Sequence, residues 1–253
     1  MLKWAVLALC AFLVLPALTI NGLKVGDSVP YIPYTEPQYA IMKKNPTICI
    51  HENSNPDITT YVNVTKVSKI AIDKWVTGLK TRTGGDWDFN VVTTSSTQNR
   101  GKHFSDFENK CDIQIAFSMY DITAPRTGGT TYYDRTSKNI VIYEYNLSLA
   151  KDNKTYVATP RVEGSATQIL EHELGHAFGL NHYYDPDYKP IPNTYDFGMA
   201  RISIMYETAP KFIVNNWDDV SIQEADYQAI IQRYGYDGWG GEIDTFPKFY
   251  VIP

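Results

Sequence analysis

The chain has 253 residues, of which 43% are hydrophobic and 20% charged, enough apolar material for one sizeable core. Its net charge of −5 gives no electrostatic reason for a nucleic-acid partner. No internal repeat or low-complexity tract interrupts it, and its 19 tyrosines suit a polar but sticky cleft or simply a Tyr-rich surface.

Residues 1–20 begin with Lys3 and run apolar from Trp4 to Leu15, the charged start and apolar core of a secretory signal peptide. No clear pair of small residues marks a cleavage point before Asn21, so an uncleaved membrane anchor is the rival reading. Either way the chain is expected outside the cell or on its outer face. Residues 21–46 carry Pro30, Pro33, Pro37 and Pro46 among polar and aromatic residues and read as an extended linker. That segment is too short for a folded pro-domain and has no cysteine.

From Thr47 the pattern turns α/β. Thr47-Ile48-Cys49-Ile50-His51 is expected as a short strand. Val64, Val67, Ala71, Trp75 and Leu79 recur at three and four, which predicts a long amphipathic helix closed by Gly84 and Gly85. Residues 87–94 and 111–117 are the second and third expected strands. Gly128 and Gly129 introduce a fourth at 130–133, and residues 139–145 make a fifth. Cys49 and Cys111 sit on two of these strands, and they are either one disulfide or two buried thiols. Asn63, Asn146 and Asn153 head N-x-S/T sequons.

The chemistry is concentrated at SATQILEHELGHAFGLNH, residues 165–182. Ser165 and Gln168 have the spacing of a capping box. His172 and His176 are four apart, so both imidazoles leave one helical face at neighbouring heights. Glu173 lies about 100° around the helix from His172, within reach of a water on a shared metal. Leu170, Leu174, Ala177 and Phe178 form the apolar face. His182 would lie about 15 Å from His172 if the helix continued. Gly179 allows the chain to turn back instead, so that His182 returns as a third nitrogen ligand. At the chain's own residue frequencies this five-position pattern arises by accident on the order of once in 10⁵ chains.

After His182, Asp185, Asp187 and Asp196 lie in an irregular acidic stretch that reads as a solvated loop or a calcium site. Ser221 and Glu224 form a second capping-box pattern. Tyr227, Ile230, Ile231 and Tyr234 give the last helix its buried stripe before Gly235. Residues 236–253 are a Gly- and aromatic-rich tail.

The pattern H-E-x-x-H-x-x-G-x-x-H at 172–182 resembles the metzincin zinc metalloproteases, and RISIMY at 201–206 is similar to their methionine turn. The run from Asp219 to Gly235 is similar to the last helix of the matrixin branch. The resemblance implies an α/β chain of the α+β zincin type, with a five-stranded mixed sheet, a long backing helix and an active-site helix. Residues 47–180 would form an upper subdomain, and 181–235 a small lower one holding the turn at 203–206 and the final helix. It further implies one Zn²⁺ on His172, His176 and His182, with Glu173 as general base. Gly179 and Met205 would support the site. Thr130, Thr131, Tyr132, Tyr206 and Pro210 would line a cleft for extended protein or peptide substrate. His51 and His103 are the only other histidines, too few for a three-histidine structural zinc. The expected activity is that of a monomeric, exported zinc endopeptidase. The alternatives are a silent zinc-holding peptide-binding module and a membrane-anchored processing protease.

Overall fold

Isoleucines on alternate positions of three strands line up across one face of a sheet. In the computed structural model, which describes residues 42–52, 62–95, 97, 111–118, 128–133, 137–149, 156–183, 203–206 and 221–240, β1 (Thr47–His51) lies between two parallel neighbours. These are β2 (Asn90–Thr94) and β3 (Ile113–Ser118). β3 pairs in parallel with β5 (Lys138–Tyr143), and β4 (Gly129–Tyr133) closes the sheet antiparallel to β5. The order is β2-β1-β3-β5-β4, a five-stranded mixed sheet. The register sets Ile48 beside Ile113, Ile50 beside Ile115, Ile115 beside Ile140, and Phe117 beside Ile142. All are buried. Side chains alternate faces along a strand, so this row forms one apolar surface that must be covered.

Two helices cover it. α1 (Val64–Thr83) crosses from β1 to β2, as a parallel pair requires. Asn63 begins it by accepting the Lys66 N–H, and Gly84 ends it in the left-handed conformation at φ 70°. α2 (Glu163–Ala177) packs beside α1 and against β4 and β5. Trp75 of α1 is fully buried and meets Phe178 and Tyr227 edge-on. Its Nε1–H donates to the Glu171 carbonyl at 3.0 Å. α3 (Glu224–Tyr234) completes this layer, with Tyr227, Ile230, Ile231 and Tyr234 buried as its spacing predicts. The fold is mixed α/β of the α+β kind.

Both expected capping boxes are replaced. α2 starts at Glu163, so Ser165 lies inside the first turn and accepts from Arg161 Nη1 instead. α3 starts at Glu224 behind Gln223, whose N–H donates to the Asp226 carboxylate at 2.7 Å. The Ser221 hydroxyl donates to buried Glu171, a stronger claim on it than a helix end in water.

The second strand begins at Asn90, because Trp87 leaves the sheet to stack edge-on with Trp239. The expected fifth strand stops at Tyr143. After Glu144 the chain forms a hairpin of β6 (Tyr145–Leu149) and β7 (Tyr156–Pro160), which the pattern did not announce. Cys49 and Cys111 are joined, their Cα atoms 5.8 Å apart.

Both ends of the described chain pack on the body. Met42, within the stretch read as linker, is buried and its N–H donates to the Tyr234 hydroxyl. Trp239, in the tail, is buried with its Nε1–H on the Trp87 carbonyl at 2.8 Å. Residues 1–20, His103, Asn153, Asp185, Asp187, Asp196 and Pro210 lie outside the described residues. Among the described residues no helix is long and apolar enough to cross a membrane.

Candidate metal centre

α2 is held on its apolar side by Leu170, Leu174, Ala177 and Phe178, all fully buried. That anchoring turns His172 and His176 the other way, where both are half-buried. The helix ends at Ala177, and Gly179 takes φ 101°, a conformation that side chains rarely adopt. The Leu180 N–H then donates to the Gly175 carbonyl at 2.9 Å. α3 clamps the same turn, with the Tyr234 hydroxyl donating to Phe178 O and Arg233 Nη1 to Gly179 O. His182 is thereby returned to the helix. Its Nε2 lies 3.3 Å from that of His172 and 3.2 Å from that of His176.

These separations can be compared with what a metal would need. Three nitrogens about 2.0–2.1 Å from one tetrahedral ion stand about 3.3 Å apart. The two separations meet that value, and the three ligand atoms converge as one group. The ring protons point the right way as well. His172 Nδ1–H donates to Ile204 O at 2.6 Å and His176 Nδ1–H to Leu180 O at 2.9 Å. A carbonyl only accepts, so each Nδ1 holds the proton and each Nε2 keeps its lone pair for the centre. Burial, and for His176 the neighbouring His172 next, lowers both pKa values to about 4. Both rings are therefore neutral at neutral pH. The residues fit a metal of the imidazole-preferring kind.

The turn at 203–206 lies beneath the histidines. Met205 is fully buried, and a Cβ on Gly175 would run into its Sδ. Sequence reasoning missed what holds this turn. Asp226, the third residue of α3, is fully buried and accepts from the Ser203 hydroxyl at 2.6 Å and the Ile204 N–H at 2.9 Å. Burial pushes its pKa up to about 6, against the pull of these hydrogen bonds. Since Ile204 O accepts from His172 Nδ1–H, Asp226 orients this imidazole through a single residue. The Tyr183 N–H donates to Met205 O at 2.7 Å, which ties the segment carrying His182 to the same turn. An acidic residue in the first turn of an otherwise apolar-faced helix was the available signal.

Glu173 is buried beside the histidines. Burial raises its pKa, opposed by the nearby His176 and by a hydrogen bond from Thr131. The expected cleft residues of β4 divide by face. Gly129, Thr131 and Tyr133 turn towards α2, and the Tyr133 hydroxyl donates to His176 O at 2.8 Å. Thr130 and Tyr132 alternate to the other face, with Tyr132 exposed. Tyr206 is half-buried and pairs with Tyr183 in a short parallel bridge. Neighbouring Glu171 turns inward to Lys74 at 2.7 Å and to Ser221, and burial raises its pKa. It joins α1, α2 and the start of α3 and lies apart from the three histidines. No protein-family model and no curated protein matches this chain.

Proposed function

We propose that the chain is an exported zinc endopeptidase of the metzincin kind. The observation that carries this reading is the convergence of three neutral imidazole nitrogens at tetrahedral spacing, with a buried carboxylate one residue from the first of them. His172, His176 and His182 would hold Zn²⁺, which supplies Lewis acidity to the scissile carbonyl and acidity to a water molecule.

Glu173 takes the water's proton and delivers it to the leaving amine, as base and then acid. A pKa raised by burial suits both duties, since such a carboxylate accepts a proton more readily than one in water. Met205 supports the histidines by packing and ligates nothing. β4 is the last strand of its sheet, so its outer edge can take an extended substrate main chain to main chain.

The deciding experiment is Glu173→Gln, which keeps the shape and removes the base. Zinc content and folding are expected to match wild type, while peptide cleavage falls by a factor of about 10²–10⁴. Equal cleavage by both proteins would overturn the mechanism. Folded, zinc-loaded wild type that cleaves nothing in a broad peptide library would make the chain a peptide-binding module instead. Export is checked by N-terminal sequencing of protein from its host, where loss of residues 1–20 is expected. Intact Met1 or Leu2 on membrane-associated protein would show an anchor.

A further inference from the structure

β4 meets α2 along a single row of residues, and the middle of that row reaches Glu173. A Cβ on Gly129 would come within 3.0 Å of Glu173 Cγ and 2.9 Å of Ile169 Cγ2, so the strand backbone lies against the stem of Glu173. Two residues on, the Thr131 hydroxyl lies 2.7 Å from Glu173 Oε2 and 3.1 Å from the Glu173 carbonyl oxygen. Tyr133 then fastens the next turn of the helix through His176 O. The close approach at Gly129 thus places Thr131 on the carboxylate.

We propose that Thr131 is the positioning residue of the general base: its hydroxyl holds Glu173 Oε2 and so presents Oε1 to the attacking water. This rests on the endopeptidase reading above. The last torsion of a glutamate is broad, so a carboxylate without a partner samples many orientations. A buried one is poorly fixed by solvent, and a single hydrogen bond to one oxygen selects which oxygen faces the water.

A hydroxyl also suits a partner that changes its proton during the reaction. While Glu173 is a carboxylate, Thr131 donates to Oε2. Once Oε1 holds the water's proton, Oε2 is the carbonyl oxygen of the acid and still accepts from Thr131, so the proton stays on the side that faces the leaving amine. In both states Oε2 and the Thr131 hydroxyl are paired. Valine has the shape of threonine and donates nothing, whereas serine can donate in both states.

The test compares Thr131→Val with Thr131→Ser in the zinc-loaded full chain, on a peptide that wild type cleaves. Thr131→Val is expected to lower kcat about 10-fold or more, the usual cost of losing an orienting partner. KM and zinc content should stay near wild type. Thr131→Ser should keep kcat within about threefold, and Thr131→Val should add nothing in a Glu173→Gln background. Wild-type kcat in Thr131→Val, or equal damage in Thr131→Ser, overturns the proposal. Crystal structures of the zinc-loaded proteins give a readout independent of turnover. The Glu173 carboxylate should keep its place in wild type and Thr131→Ser and leave it in Thr131→Val. An unmoved carboxylate in Thr131→Val sinks the positioning role. Wild type that cleaves nothing counts against the endopeptidase reading alone.

Discussion

A backbone carbonyl can only accept a hydrogen bond, and that rule decides which nitrogen of His172 and of His176 is free. Ile204 O and Leu180 O each accept a hydrogen bond from an Nδ1–H, leaving both Nε2 atoms as donors of electron pairs. Asp226 stands behind the first of these carbonyls, and its own ionisation is measurable. Its pKa is about 6 in the folded chain against about 3.9 unfolded. Between those values the folded chain holds more protons than the unfolded one, so this residue's contribution to stability falls as pH rises. Relative to Asp226→Asn, wild type is expected to lose on the order of 2–3 kcal/mol between about pH 4 and pH 6. Urea denaturation of both proteins across that range reads the difference. A difference that instead grows in favour of wild type with rising pH would mean that the hydrogen bonds outweigh burial.

Elements approach one another in this molecule where glycine removes a side chain. Gly175 lies on the α2 face above Met205, and an added methyl would meet Met205 Sδ. Alanine is favoured over glycine in a helix by up to about 1 kcal/mol. Overpacking a filled site costs about 1–3 kcal/mol, so the steric effect is the larger. Gly175→Ala should therefore lower the melting temperature and displace the turn that orients His172, weakening zinc retention during dialysis against a chelator. An equally stable Gly175→Ala protein with unchanged zinc retention would show that Met205 yields freely.

The whole molecule is braced on the sheet face away from the helices. Cys49 alternates with Ile48 and Ile50, so the bond to Cys111 lies opposite the apolar row that the helices cover. It closes a loop with a sequence separation of 62 residues, for which chain entropy gives about 4 kcal/mol. Replacing both cysteines with alanine is expected to cost about 2–4 kcal/mol, or roughly 10 °C in Tm. Zinc content and peptide cleavage at 25 °C should be unchanged, by metal analysis and steady-state assay. Loss of zinc in that variant would tie the two faces together.

Much of this was legible from spacing alone. The offsets of His172, His176, Gly179 and His182 encode a helix face, a stop and a return, each a property of local backbone geometry. Isoleucines at every second position encoded β1, β3 and β5, and the three-and-four spacing from Val64 to Leu79 encoded α1. What spacing could not reveal was the choice among rival partners. Ser165 and Ser221 each carry a capping signal, but the first hydroxyl meets Arg161, four residues before it, and the second meets Glu171, which only the folded chain brings near. Asp226 and Thr131 are ordinary residues until burial and a neighbouring element turn them onto Ile204 and Glu173. Trp239 is unreadable in a Gly- and aromatic-rich tail because its partner, Trp87, comes from the far side of the sequence. Local periodicity is set by the chain's own covalent geometry, so sequence carries it; pairing across long separations depends on which groups compete for the same buried space, and only the tertiary structure decides that.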